Sequence, residues 1–198
     1  MIRLFWGLLL LGLVACGVGA QGETERPLPD ETLVETPEQF APPELSDAAL
    51  TMQAAILETT KRNSLRRFSR LADENSGFAS NFAGADHQSH WSLLRRTGVD
   101  PLREIETLFE DRHGVRTIGS ETWFIWPDFA AMAPEDLLPE KLSFQDKARL
   151  IALVGEEGIA QIRAGKAYPG FRTAISQSGR WVYYLHETGD SQSDEARE

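Results

Sequence analysis

Two short strand pairs, each closed by a tight turn, restrict the architecture of this chain more than any other feature. VRTI, a Gly-Ser-Glu turn and TWFIW (residues 115–126) form one hairpin pattern. FRTAIS, a Gln-Ser-Gly turn and RWVYYLHE (residues 171–187) form the other. Turns this short join only antiparallel neighbours, so a parallel sheet is ruled out within either pair. Alternation puts Trp123 and Ile125 on one face, with Phe124 and Trp126 on the other; it likewise sets Trp181 and Tyr183 against Val182 and Tyr184. One face of such a sheet must be core. The other exposes aromatics, suited to glycan or peptide binding, unless helices cover it. Covered is the favoured reading.

The remaining segments carry helical punctuation. Ser46 is a cap for a helix with Leu50, Ile56 and Leu57, ending near Arg62. SLRRFSRLA follows with Leu65, Phe68 and Leu71 on one stripe, then a loop to Gln88, then HWSLLRR to Gly98. Asp100-Pro101 opens a helix with Leu102, Ile105 and Phe109 in register, and Gly114 stops it. Pro134 predicts a short helical turn. Ser143 with Asp146 caps FQDKARLIALV, which Gly155 ends, and GIAQIRA runs on to Gly165. About five helices packed with two hairpins on one antiparallel sheet give a single α+β domain over residues 46–186. A length of 198 residues fits one ordinary domain. The lone cysteine, Cys16, precedes that domain, so no disulfide staples it.

Residues 1–15, MIRLFWGLLLLGLVA, place one early base before an apolar or Gly run from Leu4 to Ala15. A run of twelve spans roughly 18 Å as a helix, too short for a hydrocarbon core of about 30 Å, and reads as a signal peptide. Residues 16–45 contain prolines at 27, 29, 37, 42 and 43 and seven acids against Arg26 alone, the composition of an extended, solvated tether. Residues 187–198, with five acids against Arg197, read as a disordered acidic tail. These two ends account for the formal charge of −10, because residues 46–186 carry 18 acids and 17 bases. A near-neutral exported body excludes nucleic acid as a partner.

The candidate chemistry is sparse. Asp86, His87 and His90 place two imidazoles at i, i+3 if a helix begins at Asp86, the pattern for a metal-dependent enzyme or hydrolase. The competing reading makes Asp86 a helix cap and His90 a packed neighbour of Trp91, and it is favoured. No HExxH, Gly-x-Ser-x-Gly or phosphate-binding loop occurs, and neither a catalytic residue nor a cofactor or metal is assigned. Lys61, Arg62, Arg66, Arg67 and Arg70 put five bases within ten residues, with Arg66 and Arg70 opposite the Leu65–Phe68–Leu71 stripe. That face suits lipid head groups, another acidic partner or simple solvation. Trp126 and Asp128 flank Pro127 as further binding candidates, Asp128 having helix capping as its ordinary role.

Leu13-Val14-Ala15-Cys16 resembles the lipobox of bacterial lipoproteins. The resemblance implies a lipidated Cys16 as the mature N-terminus, and Gly17 after it implies an outer-membrane anchor. Val18-Gly19-Ala20 offers the alternative of ordinary cleavage before Gln21, which leaves a soluble periplasmic or secreted protein. From about Asn63 to His186 the chain also resembles uncharacterised exported proteins of proteobacteria, on RRFSRLAD, WFIWPDFAAMAPEDL, YPGFRTAIS and GRWVYYL. That resemblance implies an envelope location and no mechanism. The expectation is a membrane-tethered, non-catalytic binding or accessory module meeting an envelope glycan, lipid head group or protein. The alternatives are an envelope enzyme using Asp86, His87 or His90, and a purely structural periplasmic protein.

Overall fold

The computed structural model describes residues 43–81 and 84–186. The leader, Cys16, the tether before residue 43 and the tail from residue 187 lie outside the described residues.

Each helix begins where a short polar side chain satisfies an otherwise unpaired amide. Ser46 accepts from Ala49 N ahead of α1 (Asp47–Lys61), and Ser64 from Arg67 N ahead of α2 (Leu65–Asp73). Asp86 accepts from Ser89 N at the start of α3 (His87–Arg96). Asp100 accepts from Leu102 N at α4 (Pro101–Glu110), which has its proline in the first turn. Ser143 accepts from Asp146 N at α5 (Phe144–Arg163). Within α5, Gly155 takes φ +64° and ψ −177°, a conformation only glycine adopts without strain, so the helix breaks there as its sequence predicts.

Strands β1 (Gly114–Ile118), β2 (Glu121–Trp126), β3 (Arg172–Ser176) and β4 (Trp181–Leu185) form one antiparallel sheet in that order. The two hairpins therefore join through β2 and β3, giving the single α+β domain expected. Ala79, in the loop after α2, adds a parallel bridge at the outer side of β4. Its N–H donates to Val182 O at 3.2 Å, and its carbonyl accepts from Tyr184 N at 2.9 Å.

One face of the sheet packs on α1–α4. Phe124, Trp126, Ile175, Trp181 and Tyr184 meet Ile56, Phe68, Trp91 and Ile105 there. Each such side chain contributes about 2–3 kcal/mol through burial. The expected alternation holds on β2 and fails on β4. Ile175 pairs with Trp181 and Ala174 with Tyr183, so Val182 is an extra residue and β4 carries a bulge. Trp181 and Tyr184 consequently share the core face, whereas Val182 and Tyr183 turn to the other.

That other face is covered at its centre. Ile125, Ala174 and Val182 are buried beneath Ala130 and Ala131 of a 3₁₀ turn, Asp128–Ala131. Trp123 and Tyr183 stay half-buried with ring centroids 6.2 Å apart, and burial pushes the Tyr183 phenol up to about 12. After β2 the 3₁₀ turn comes first, and Pro134 then opens the single turn expected, in which Asp136 N and Leu137 N donate to Ala133 O at 3.0 and 3.1 Å. A second core lies around α5, where Leu150, Ile159 and Ile162 pack on Phe129, Leu137 and Tyr168.

Candidate functional site

The histidine corner is assembled by the loop between α2 and α3. Ser80 Oγ lies 2.7 Å from His87 Nδ1, and His87 Nε2 lies 3.8 Å from Asp73 Oδ1. The Asn81 amide donates to Ser80 Oγ at 3.0 Å. A hydroxyl, an imidazole and a carboxylate thus stand in the sequence used for nucleophilic catalysis, with the two ring nitrogens exchanged. Ser80 is nevertheless 2% exposed, and the His87 ring packs edge-on to Phe78 with centroids 5.0 Å apart. In this conformation the chain of bonds fastens the loop to α3.

Asp86, next to this corner, is spent on capping α3; hydrogen bonds from Ser89 hold its carboxyl below the usual range. His90 lies one turn beyond His87, and burial, then the neighbouring His87, lowers its imidazole pKa. The two histidines do not gain further ligands: among the described residues no group of three or more His, Cys, Asp or Glu could hold a metal ion. Sequence reading had named His87 but not Ser80 or Asp73. The loop that carries Ser80, rich in Gly, Asn and Ser, signals only irregular backbone.

Trp126 is 1% exposed and packs edge-on to Phe109, with centroids 5.0 Å apart, so it has no free ring face to offer a ligand. Its assignment as a binding residue is corrected by its place in the main core. Asp128 Oδ1 accepts from Phe129 N at 2.9 Å at the start of the 3₁₀ turn, in keeping with its ordinary role of holding a helix start. The 3₁₀ turn starts at Asp128 and its side chain enters an ion cluster that no motif announced. Arg149 Nη1 donates to Asp111 Oδ1 at 2.7 Å and Nη2 to Asp128 Oδ1 at 2.5 Å. Arg112 reaches Asp128 Oδ2 at 3.4 Å and also donates to Asp146. Hydrogen bonding from Ser143, then Arg112, lowers the Asp146 carboxyl pKa. The cluster gathers the end of α4, the 3₁₀ turn and the first turns of α5, setting three carboxylates against two guanidinium groups. Asp111 Oδ2 and Arg149 Nε are buried there without a partner. The i, i+3 spacing of Asp146 and Arg149 was the one local hint.

The basic face lies where α1 and α2 meet. An open groove of about 260 Å³ between them has Ala55 and Leu71 among its lining, with Arg62, Arg67 and Arg70 and the acids Glu58 and Glu74. Arg62 pairs with Glu58 at 2.6 Å and Arg70 with Glu74 at 3.8 Å, so the predicted Arg70 is partly neutralised. Arg66 is exposed and takes part in none of the ion pairs among the described residues. Phe68, by contrast, is fully buried, as the apolar stripe predicts. No described helix is long and apolar enough to cross a membrane.

Neither a family model, nor a curated protein, nor a solved structure matches this chain.

Proposed function

We propose that this chain is an exported cell-envelope protein, held at the outer membrane by a lipid on Cys16 and facing the periplasm. Its α+β body serves there as a non-catalytic binding or accessory module. The observation that carries the reading is the order of segments: an apolar leader, Cys16 directly after it, an acidic Pro-rich spacer, then a body whose first cap is Ser46. The side chains with catalytic chemistry lend support, since Asp86 caps a helix and His87 ties down Ser80. The exposed bases of α1 and α2 are the part of the body best suited to a partner.

The deciding experiment is the intact mass of the mature protein recovered from membranes. A chain beginning at Cys16 and carrying acyl groups supports the anchored reading. An unmodified chain beginning at Gln21 overturns it in favour of a free periplasmic or secreted protein.

A second reading, an envelope hydrolase, is favoured by the Ser80–His87–Asp73 arrangement, with Ser80 as nucleophile and His87 as base. Covalent labelling of Ser80 by a fluorophosphonate, lost in Ser80→Ala and in His87→Gln, would establish it. Intact protein that stays unlabelled while folded rejects it.

A further inference from the structure

The bases of the sequence cluster are joined by a helix that the sequence did not connect to them. Arg95, at the end of α3, donates through Nη2 to Asn63 Oδ1 at 2.5 Å and through Nε to Asp100 Oδ1 at 2.9 Å. Asn63 is the turn residue between α1 and α2 and adopts φ +47°. This clamp sets the end of α3 against that turn. Lys61, Arg66 and Arg67 flank the turn that Arg95 clamps, and Arg96 is the residue after Arg95 at the end of α3. All four are exposed, and none takes part in an ion pair among the described residues. The segment 59–72 holds five bases and no acid, in a body whose remaining residues carry 18 acids against 12 bases.

We infer that this corner docks on an anionic phospholipid surface through Lys61, Arg66, Arg67 and Arg96. The inference deepens the anchored reading above and rests on it for the nearness of the membrane. Phosphate head groups fit better than an acidic peptide for two reasons. The apolar stripe of α2 is turned inward, with Phe68 buried and Leu65 and Leu71 packed against the core, so the corner offers no apolar seat for a peptide. In the neighbouring groove the arginines Arg62 and Arg70 are already paired, whereas Arg67 is in none of the ion pairs among the described residues. What remains is a set of exposed cationic tips, which a plane of phosphates satisfies without shape matching. Each base near such a surface strengthens attachment by about fivefold at moderate salt.

The test is lysine footprinting of the mature chain in nanodiscs of phosphatidylcholine, with and without phosphatidylglycerol. Lys61 is the only lysine of the corner, and Lys166, beyond α5, is the internal reference. Anionic discs should slow acetylation of Lys61 severalfold relative to Lys166. High salt or Arg66→Glu with Arg67→Glu should remove that protection, while circular dichroism of the variant stays unchanged. Equal reactivity of Lys61 in both discs overturns the inference. So does protection that persists after the double reversal, or protection restored in neutral discs by an added acidic peptide. A chain recovered without acyl groups refutes the anchor alone; added to the same discs from solution, it is judged by the same Lys61 ratio.

Discussion

The guanidinium of Arg149 lies over the ring of Phe129, its Cζ 4.2 Å from the ring centroid. Phe129 belongs to the core around α5, and the same guanidinium holds Asp111 and Asp128 outside it. One side chain thereby ties an apolar cluster to a set of carboxylates. Arg149→Ala removes the stacked cation and leaves both carboxylates without their nearest base. The expected loss is about 2–3 kcal/mol in chemical denaturation, below the range for a wholly buried pair because these groups keep some solvent. Arg149→Lys should recover less than half of it, since an ammonium cannot hold two carboxylates as a fork does. A fully stable Arg149→Ala protein would contradict this role.

Glu121 joins the two hairpin turns. It accepts from Ser178 Oγ at 2.7 Å, from Arg180 Nη2 at 2.8 Å and from Trp123 Nε1 at 3.1 Å. These donors, Ser178 and Arg180 foremost, lower its pKa from 4.5 to about 2. A carboxyl depressed in the folded state stabilises fully above its unfolded value and loses that contribution as the pH falls through the folded one. Stability should therefore decline between pH 4.5 and about 2 partly on account of Glu121. Thermal melts across that window should show a shallower decline for Glu121→Gln. Superimposable slopes for the two proteins would count against the assignment.

Thr173 is fully buried and bonded twice: its Oγ1 accepts from Trp181 Nε1 at 2.9 Å and donates to Tyr183 O at 2.7 Å. Thr173→Val keeps the shape and removes both bonds, stranding the indole N–H in the core. A cost of about 1–3 kcal/mol is expected in equilibrium unfolding. Thr173→Ser should retain most of the stability lost by the valine variant, apart from the missing methyl. If valine and serine behave alike, the hydrogen bonds are not the cause.

Gly155 interrupts α5 with a positive φ, and its surroundings leave open space for a methyl group. Gly155→Ala is therefore opposed by backbone conformation and not by a clash. A loss of about 1–3 kcal/mol should appear as a lower melting temperature. An unchanged melting temperature would show that the break in α5 is easily straightened.

The helix starts were legible because Ser46, Asp86, Asp100 and Ser143 act on amides two or three residues away. The hairpins were legible for the same reason, their turns being local. The facing of β4 was not, because the bulge at Val182 depends on which residue of β3 lies opposite. The Asp111–Arg149 contact spans 38 positions and Arg95–Asn63 spans 32, so neither leaves a pattern in a short window. Ser80 and His87 stand only seven apart, yet their contact needs a loop whose path no periodicity encodes.

The bridge at Ala79 has a consequence for how this protein behaves in company. An open strand margin recruits matching strands from other molecules, and crowded chains with such margins tend to associate into fibrils. Along β4, a partly aromatic strand, Ala79 already occupies the donor and acceptor positions at Val182 and Tyr184 that an incoming strand would need. The opposite margin, β1, carries Arg116 and Thr117, a charge and a polar group ill-suited to such stacking. The loop after α2 thus acts as a stopper that keeps a sheet rich in tryptophan and tyrosine from growing beyond its own chain.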